Sequence, residues 1–177
     1  MKNRCIMIFP KFNNMEIINE IRKQYDPLFE KVDPHITLVF PFESCISSQE
    51  LQKHINHKLR NTKPFELILQ NIIKVSNDTG HYLFLEIING EEKLKVIHNN
   101  LYNGILELYK PLWLNYIDFK PHITLGCFKS KEELESAYEM IKNIKNKFST
   151  IVNKISIENI DKDDNSIIEM EINLTNF

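Results

Sequence analysis

Five residues, Pro34-His35-Ile36-Thr37-Leu38, recur letter for letter at Pro121-His122-Ile123-Thr124-Leu125. Both copies are rich in residues that favour strands, in which successive side chains point to opposite faces. Each copy therefore places one imidazole and one hydroxyl on the same face, about 6.6 Å apart at a rise of about 3.3 Å per residue. The apolar residues of each copy, and Phe40 after the first, are predicted to face a core.

Two imidazoles and two hydroxyls that meet in one site suit the transfer of a phosphoryl group. The unperturbed pKa of histidine is about 6.5, so one imidazole of a pair can be neutral and act as a base while the other is protonated and acts as an acid. Threonine hydroxyls can donate hydrogen bonds to the non-bridging oxygens of a phosphate held between the imidazoles. This chemistry is similar to that of ribonucleases, and it requires neither a metal ion nor a cofactor.

The elements that must position the two motifs follow one another in a repeated order. After a first strand within residues 1–10, periodicity and capping signals predict helix, motif strand, helix, strand, strand twice. The predicted helices are 15–22, 47–62, 91–109 and 131–146, and the later predicted strands are 35–42, 65–75, 82–88, 122–128, 150–159 and 167–174. We therefore predict an α+β chain that forms one domain, residues 1–177, from two similar halves.

The paired His-x-Thr motifs, each preceded by proline, are similar to those of the 2H phosphoesterase superfamily, which includes RNA 2',3'-cyclic phosphodiesterases and 2'-5' RNA ligase-like proteins. Further segments resemble the bacterial YjcG-like branch, namely Phe9-Pro10-Lys11, Tyr25-Asp26-Pro27, Pro41-Phe42-Glu43 and Leu101-Tyr102-Asn103-Gly104. The resemblance implies a bilobed fold of two antiparallel β-sheets flanked by helices, with pseudo-two-fold symmetry and a central cleft. It also implies catalytic roles for His35, Thr37, His122 and Thr124.

One residue departs from the pattern of the ligase-like members, in which an arginine commonly stands three residues after the second threonine. This chain has Cys127 there, and a thiol cannot clamp a phosphate with paired donors as a guanidinium does. Lys11, Lys120 or Lys129 are the candidates to supply a positive charge instead. Strand alternation from His122 predicts that Cys127 is a buried structural thiol.

Aromatic side chains near the motifs are candidates to stack on a nucleobase. We predict substrate contacts from Phe9, Phe42, Tyr82 and Phe128, together with Lys11, although packing in the core is the alternative for each aromatic residue. Trp113 and Tyr116, in the segment before the second motif, are candidates for the rim of the cleft.

Composition limits the class of partner. The net charge of −2 gives no overall positive field to hold a long nucleic acid, so a small nucleotide or an RNA end is the expected substrate. The three cysteines are not closely paired, which favours free thiols in the cytoplasm over disulfides or a zinc site. No segment has the roughly 20 apolar residues of a membrane span. We expect a cytoplasmic monomer without a metal or cofactor.

These observations favour a metal-independent phosphoesterase that acts on a 2',3'-cyclic phosphate or a related nucleotide phosphodiester. Two alternatives remain open from the sequence. The reverse reaction would make the protein a 2'-5' RNA ligase-like enzyme, and a cleft without turnover would make it a module that binds nucleotides or RNA ends. The local identity of the two motifs leaves open which histidine is the acid and which is the base.

Overall fold

The computed structural model describes residues 1–174 and shows an α+β fold. Its helices are α1 (Met15–Tyr25), α2 (Ser48–Leu59), α3 (Glu91–Leu101) and α4 (Lys131–Ile141). Its strands are β1 (Lys2–Ile8), β2 (Ile36–Ser44), β3 (Phe65–Asn77), β4 (Gly80–Asn89), β5 (His122–Phe128), β6 (Phe148–Val152), β7 (Lys154–Ile160) and β8 (Ser166–Asn173). Two short 3₁₀ helices, Glu107–Tyr109 and Leu112–Asn115, lie between α3 and β5.

The strands form two four-stranded antiparallel sheets, which confirms the predicted architecture. One sheet has the order β2-β1-β7-β8 and the other the order β5-β4-β3-β6. Each half of the chain therefore contributes two strands to each sheet, so the halves do not coincide with the sheets. The two motif strands, β2 and β5, are both edge strands.

The helices also pack across the two halves. From the first half, α1 packs on β5, and from the second half, α3 packs on β2. Gly126 allows the first of these contacts, since a Cβ atom at that position would lie 2.8 Å from the Cβ of Tyr25 on α1. Each motif strand is thus covered by a helix from the other half of the sequence.

Buried apolar side chains from both sheets and all four helices form one continuous core. Two helices, α2 and α4, begin at serine residues that satisfy free amide groups of the first turn. Ser47 caps α2 and forms a reciprocal capping box with Glu50, and the Ser130 hydroxyl accepts a hydrogen bond from the Glu133 amide at the start of α4. These caps fix where α2 and α4 start relative to the strands before them.

Three predicted boundaries were wrong. The helix predicted over 91–109 ends at Leu101, because the chain turns at Gly104, whose φ of +102° is strained for other residues. The helix predicted over 131–146 ends at Ile141. The strand predicted over 150–159 is two strands. The chain leaves β3 after Val152, and from Lys154 it forms β7, which pairs with β8 and, from Ser156 onward, with β1.

Within residues 1–174, no helix is both long enough and apolar enough to cross a bilayer.

Candidate active site

Both motif strands contain the same irregularity directly after the threonine. In β2, Thr37 and Val39 face consecutive residues of β1, so Leu38 is an extra residue. In β5, Thr124 and Gly126 face consecutive residues of β4, so Leu125 is the extra residue. A bulge of this kind reverses the alternation of the residues that follow.

The bulges correct two predictions. Phe40, predicted to face the core, is half-buried and lines the same cavity as Thr37. Cys127, predicted to be buried, is exposed. It lines an open groove beside Tyr25 and Phe128 rather than the cavity of the paired motifs.

The four motif side chains meet in one partly enclosed cavity. His35 and Thr37 come from the β2 side, and His122 and Thr124 from the β5 side. The remaining lining residues are Phe40, Phe119, Lys120 and Pro121. The motifs therefore face one another across the cleft between the two sheets.

The two imidazoles are held by the same hydrogen bond. Nδ1 of His35 lies 2.9 Å from the carbonyl oxygen of Asp33, and Nδ1 of His122 lies 2.8 Å from the carbonyl oxygen of Lys120. Because a carbonyl oxygen only accepts, Nδ1 must be the protonated nitrogen in each ring. Nε2 is left to accept a proton in the neutral form or to donate one in the imidazolium form.

Burial lowers the pKa of both histidines, but their charged neighbours differ. For His122 the pKa is lowered to about 4, first by burial, with further lowering by His35 and Lys120. For His35 burial is again the main cause, and Arg22 lowers the pKa further, whereas Asp26 and Asp33 raise it. A single proton shared by the pair is therefore better accommodated on His35, next to the carboxylates.

An aromatic stack lies behind His122. The ring of Phe84 is 3.5 Å from the imidazole, centroid to centroid, at an interplanar angle of 19°. Tyr82 stacks on Phe84 at 5.5 Å, so this predicted substrate contact is one ring removed from His122. Phe84 was not predicted from the sequence, because its contact with His122 follows from the pairing of β4 with β5.

The predicted residues near the first motif are divided between the site and the core. Phe9 lies beside His35, with ring centroids 6.1 Å apart. Phe9 and Lys11 line a neighbouring cavity together with Asp33. In contrast, Phe42 is 5% exposed and packs on Tyr109 in the core.

The other predicted positions lie at the edge of the cleft or away from it. Phe128 packs on Tyr25 outside the cavity. Trp113 contacts the cavity wall through Phe40, with ring centroids 4.9 Å apart, and Tyr116 is exposed.

Among the cations proposed to replace the missing arginine, Lys120 is the one that lines the cavity. Its ammonium nitrogen lies 3.7 Å from a carboxylate oxygen of Glu86. Lys11 lies in the neighbouring cavity, and Lys129 follows the end of β5. The site therefore combines neutral hydrogen-bond donors with a single partly compensated lysine.

A buried arginine that was not predicted from the sequence holds the loop before the first motif. Arg22 on α1 is 1% exposed. Its guanidinium donates hydrogen bonds to the Asp26 carboxylate at 2.8 Å and to the Val32 carbonyl oxygen at 2.8 Å. These bonds fix the chain that leads to Asp33, the hydrogen-bond partner of His35.

Residues 1–174 contain no cluster of three or more histidine, cysteine, aspartate or glutamate side chains arranged to hold a metal ion.

Comparison with known proteins places this chain in a family. A family model described as the 2'-5' RNA ligase superfamily matches residues 10–164. A Bacillus licheniformis protein named "Putative phosphoesterase" is 30% identical over 130 residues, which are 72% of this chain and 72% of that protein.

Two solved structures share the fold. E. coli LigT complexed with 3'-AMP superposes with a TM-score of 0.60 at 16% identity, covering 99% of both chains. Kluyveromyces marxianus Usb1 with uridine monophosphate superposes with a TM-score of 0.56 at 13% identity, covering 98% of this chain and 97% of that one. With its paired motifs on facing strands and a family match over most of its length, the chain belongs to the 2'-5' RNA ligase superfamily of 2H phosphoesterases.

Proposed function

We propose that the protein is a metal-independent phosphoesterase that opens a 2',3'-cyclic phosphate or a related nucleotide phosphodiester. The observation that carries the proposal is the equivalent arrangement of His35 and His122. In both imidazoles Nδ1 is bonded to a backbone carbonyl oxygen, which leaves Nε2 for proton transfer. Both imidazoles line one cavity with Thr37 and Thr124. Such a pair can remove one proton and deliver another at a single phosphorus atom.

In the proposed hydrolysis, His122 is the base and His35 is the acid. Nε2 of neutral His122 removes a proton from water as the water oxygen attacks phosphorus. The bond from phosphorus to one ribose oxygen breaks on the opposite side, and Nε2 of protonated His35 donates its proton to that oxygen. The product is a nucleotide monoester, and a proton transfer between the imidazoles through solvent restores the starting state. This assignment rests on the carboxylates near His35 and the lysine near His122.

Thr37 and Thr124 are proposed to hold the non-bridging oxygens of the phosphate. Each hydroxyl lies two residues after its histidine, on the strand face that lines the cavity. Hydrogen bonds from fixed donors strengthen as negative charge grows on the phosphoryl oxygens in the transition state. The threonines would therefore both align phosphorus between the imidazoles and stabilise the reaction.

A small nucleotide or an RNA end fits this site better than a long nucleic acid. Lys120 is the cation that lines the cavity, and the whole chain has a net charge of −2. Solved relatives with the same fold are described in complex with 3'-AMP and with uridine monophosphate. We propose Phe9 and Lys11, in the cavity next to His35, as contacts for the nucleoside part of the substrate, with Tyr82 behind His122.

A substrate panel tests this function. Purified protein is incubated with the four 2',3'-cyclic nucleoside monophosphates and with short 2'-5'-linked and 3'-5'-linked oligonucleotides, and products are separated by chromatography. Conversion of a cyclic phosphate to a monoester supports the proposal. Joining of RNA ends into 2'-5' linkages would instead identify a ligase, and binding of nucleotide 2'-phosphates by calorimetry without turnover would identify a binding module.

A further inference from the structure

His98 is a buried titratable side chain that the proposed reaction does not use. It lies on α3, is 1% exposed, and its Nδ1 donates a hydrogen bond to the carbonyl oxygen of Leu38 at 2.7 Å. Leu38 is the bulge residue of β2, next to Thr37. The imidazole is therefore bonded to the backbone of the first motif strand, directly beside a residue of the candidate site.

The same imidazole contacts the segment that leads into the second motif. Its ring lies face to face with Phe119, with centroids 3.7 Å apart and an interplanar angle of 4°. Phe119 stands three residues before His122, and its side chain lines the cavity of the paired motifs. One side chain thus connects both sides of the cleft, by a hydrogen bond on one side and a ring stack on the other.

Tyr102, just after the end of α3, adds a second bond to the same strand. Its hydroxyl oxygen accepts a hydrogen bond from the backbone amide of Phe40 at 2.9 Å, and its ring meets that of His98 edge to face at 5.0 Å. An edge strand has backbone groups without a strand partner on its outer side. For β2, His98 and Tyr102 supply side-chain partners for two of these groups, at the residues on either side of Val39.

We propose that His98 is a positioning residue that sets the width of the catalytic cleft, holding Phe119 as a wall of the cavity against the first motif strand. The inference rests on the proposed function for its kinetic consequence, but the contacts themselves are independent of it. In-line transfer needs both imidazoles at opposite sides of one phosphorus atom, and a displacement of about 1 Å can cost about a hundredfold in rate. Loss of His98 would release both the Leu38 carbonyl and the Phe119 ring.

Three substitutions separate the two contacts. His98→Phe keeps a ring for Phe119 but loses the hydrogen bond to Leu38, His98→Asn keeps a donor near the position of Nδ1 but loses the ring, and His98→Ala loses both. His57→Ala is the matched control, because His57 is an exposed histidine on the outer face of α2. Circular dichroism and thermal melting establish which variants are folded at the assay temperature.

Two readouts are compared for each folded variant. The first is kcat and KM on a 2',3'-cyclic nucleotide, where we expect His98→Ala to lower kcat by about 10- to 100-fold, with a smaller change in KM. The second is the pKa of His122 from the NMR titration of its ring proton. In His98→Ala, release of Phe119 should admit water to the cavity and raise the pKa of His122 from its lowered value. The pKa of His122 in His98→Phe should be closer to that of the wild type than in His98→Asn, because the phenyl ring still supports Phe119.

These measurements distinguish a failure of the proposed role of His98 from a failure of the proposed phosphoesterase function. If folded His98→Ala matches the wild type and His57→Ala in both readouts, His98 does not position the site. A fall in kcat with no change in the His122 titration and no recovery in His98→Phe would show that the loss does not come from release of Phe119, and it would also overturn the inference. If the wild type turns over no cyclic nucleotide, the proposed function fails, and the His122 titration, which needs no substrate, still decides the role of His98. If His98→Ala does not fold, the Phe and Asn variants supply the comparison.

Discussion

Phe84 lies face to face with the imidazole of His122, with ring centroids 3.5 Å apart, whereas Phe9 is tilted by 55° against His35 at 6.1 Å. Two histidines with identical local sequences therefore have different surroundings. The closer ring excludes water from one face of His122. A stacked aromatic ring also attracts a cation by roughly 0.5–1 kcal/mol. A pKa of about 4 for His122 means that protonating this imidazole costs about 3 kcal/mol more than protonating an ordinary histidine. The cost of burying the charge therefore outweighs the attraction of the ring for a cation.

Phe84→Leu should raise the pKa of His122 towards the ordinary histidine value of about 6.5, by about one unit. The smaller side chain opens one face of the imidazole to water, which stabilises its protonated form. NMR titration of the ring protons measures the change. Phe9→Leu is the matched control and should move the pKa of His35 but not that of His122. An unchanged His122 titration in folded Phe84→Leu would show that Phe84 is not the source of its desolvation.

The rate should depend on pH with a maximum in the mildly acidic range. In the free enzyme, kcat/KM should rise as His122 loses its proton near pH 4 and fall as His35 loses its proton, below its ordinary pKa of about 6.5. A bound phosphate is negative and favours both imidazolium forms, so the limbs of kcat should lie at higher pH than those of kcat/KM. A steady increase of kcat/KM up to pH 9 would contradict the roles given to the two histidines.

Thr37→Val and Thr124→Val should each lower kcat by about 10²–10³-fold if the hydroxyl donates to a phosphoryl oxygen in the transition state. Valine preserves the shape and the strand preference, so the change isolates the hydroxyl. Steady-state kinetics on a cyclic nucleotide measures the loss, and thermal melting checks folding. Thr150→Val on β6, outside the cavity, is the control and should retain wild-type kcat.

Turnover of a 2',3'-cyclic nucleotide should survive chelation, because the imidazoles perform both proton transfers and the threonines hold the phosphate. Rates are compared before and after dialysis against EDTA, and again after addition of Mg²⁺, Mn²⁺ or Zn²⁺. Unchanged rates support the proposed chemistry. Loss of activity that a divalent ion restores would indicate metal-assisted hydrolysis instead.

The helices, the strands and the motif residues followed from local signals in the sequence, and the family resemblance implied the two-sheet fold. Alternation of apolar and polar residues identified both motif strands, and the Ser47 and Glu50 pair marked the start of α2. The repeat put one histidine and one threonine on the same face of each motif strand, and the resemblance implied that the two strands face each other; the structure brings His35, Thr37, His122 and Thr124 to one cavity. The strand and helix signals depend on neighbours within a few residues.

The positions of the residues around the four motif side chains could not be predicted, because they depend on contacts between strands and helices that the sequence of one strand does not reveal. Bulges at Leu38 and Leu125 moved Phe40 into the cavity and Cys127 to the surface, and register with a partner strand is needed to detect them. The roles of His98 and Phe84 arise from contacts across the fold, with Leu38 and Phe119 for the first and with His122 for the second. The crossing from one sheet to the other between Val152 and Lys154 was missed for the same reason.

Joint action of His35 and His122 on one phosphate is decided by the rate of cyclic nucleotide hydrolysis in His35→Ala, His122→Ala and the double variant. Each folded single variant should lose about 10²–10⁴-fold in kcat. The double variant should lose little more than the worse single variant, because residues that act as a unit are strongly non-additive. If both folded single variants hydrolyse the substrate at near wild-type rates, the paired motif is not the catalytic centre of this protein.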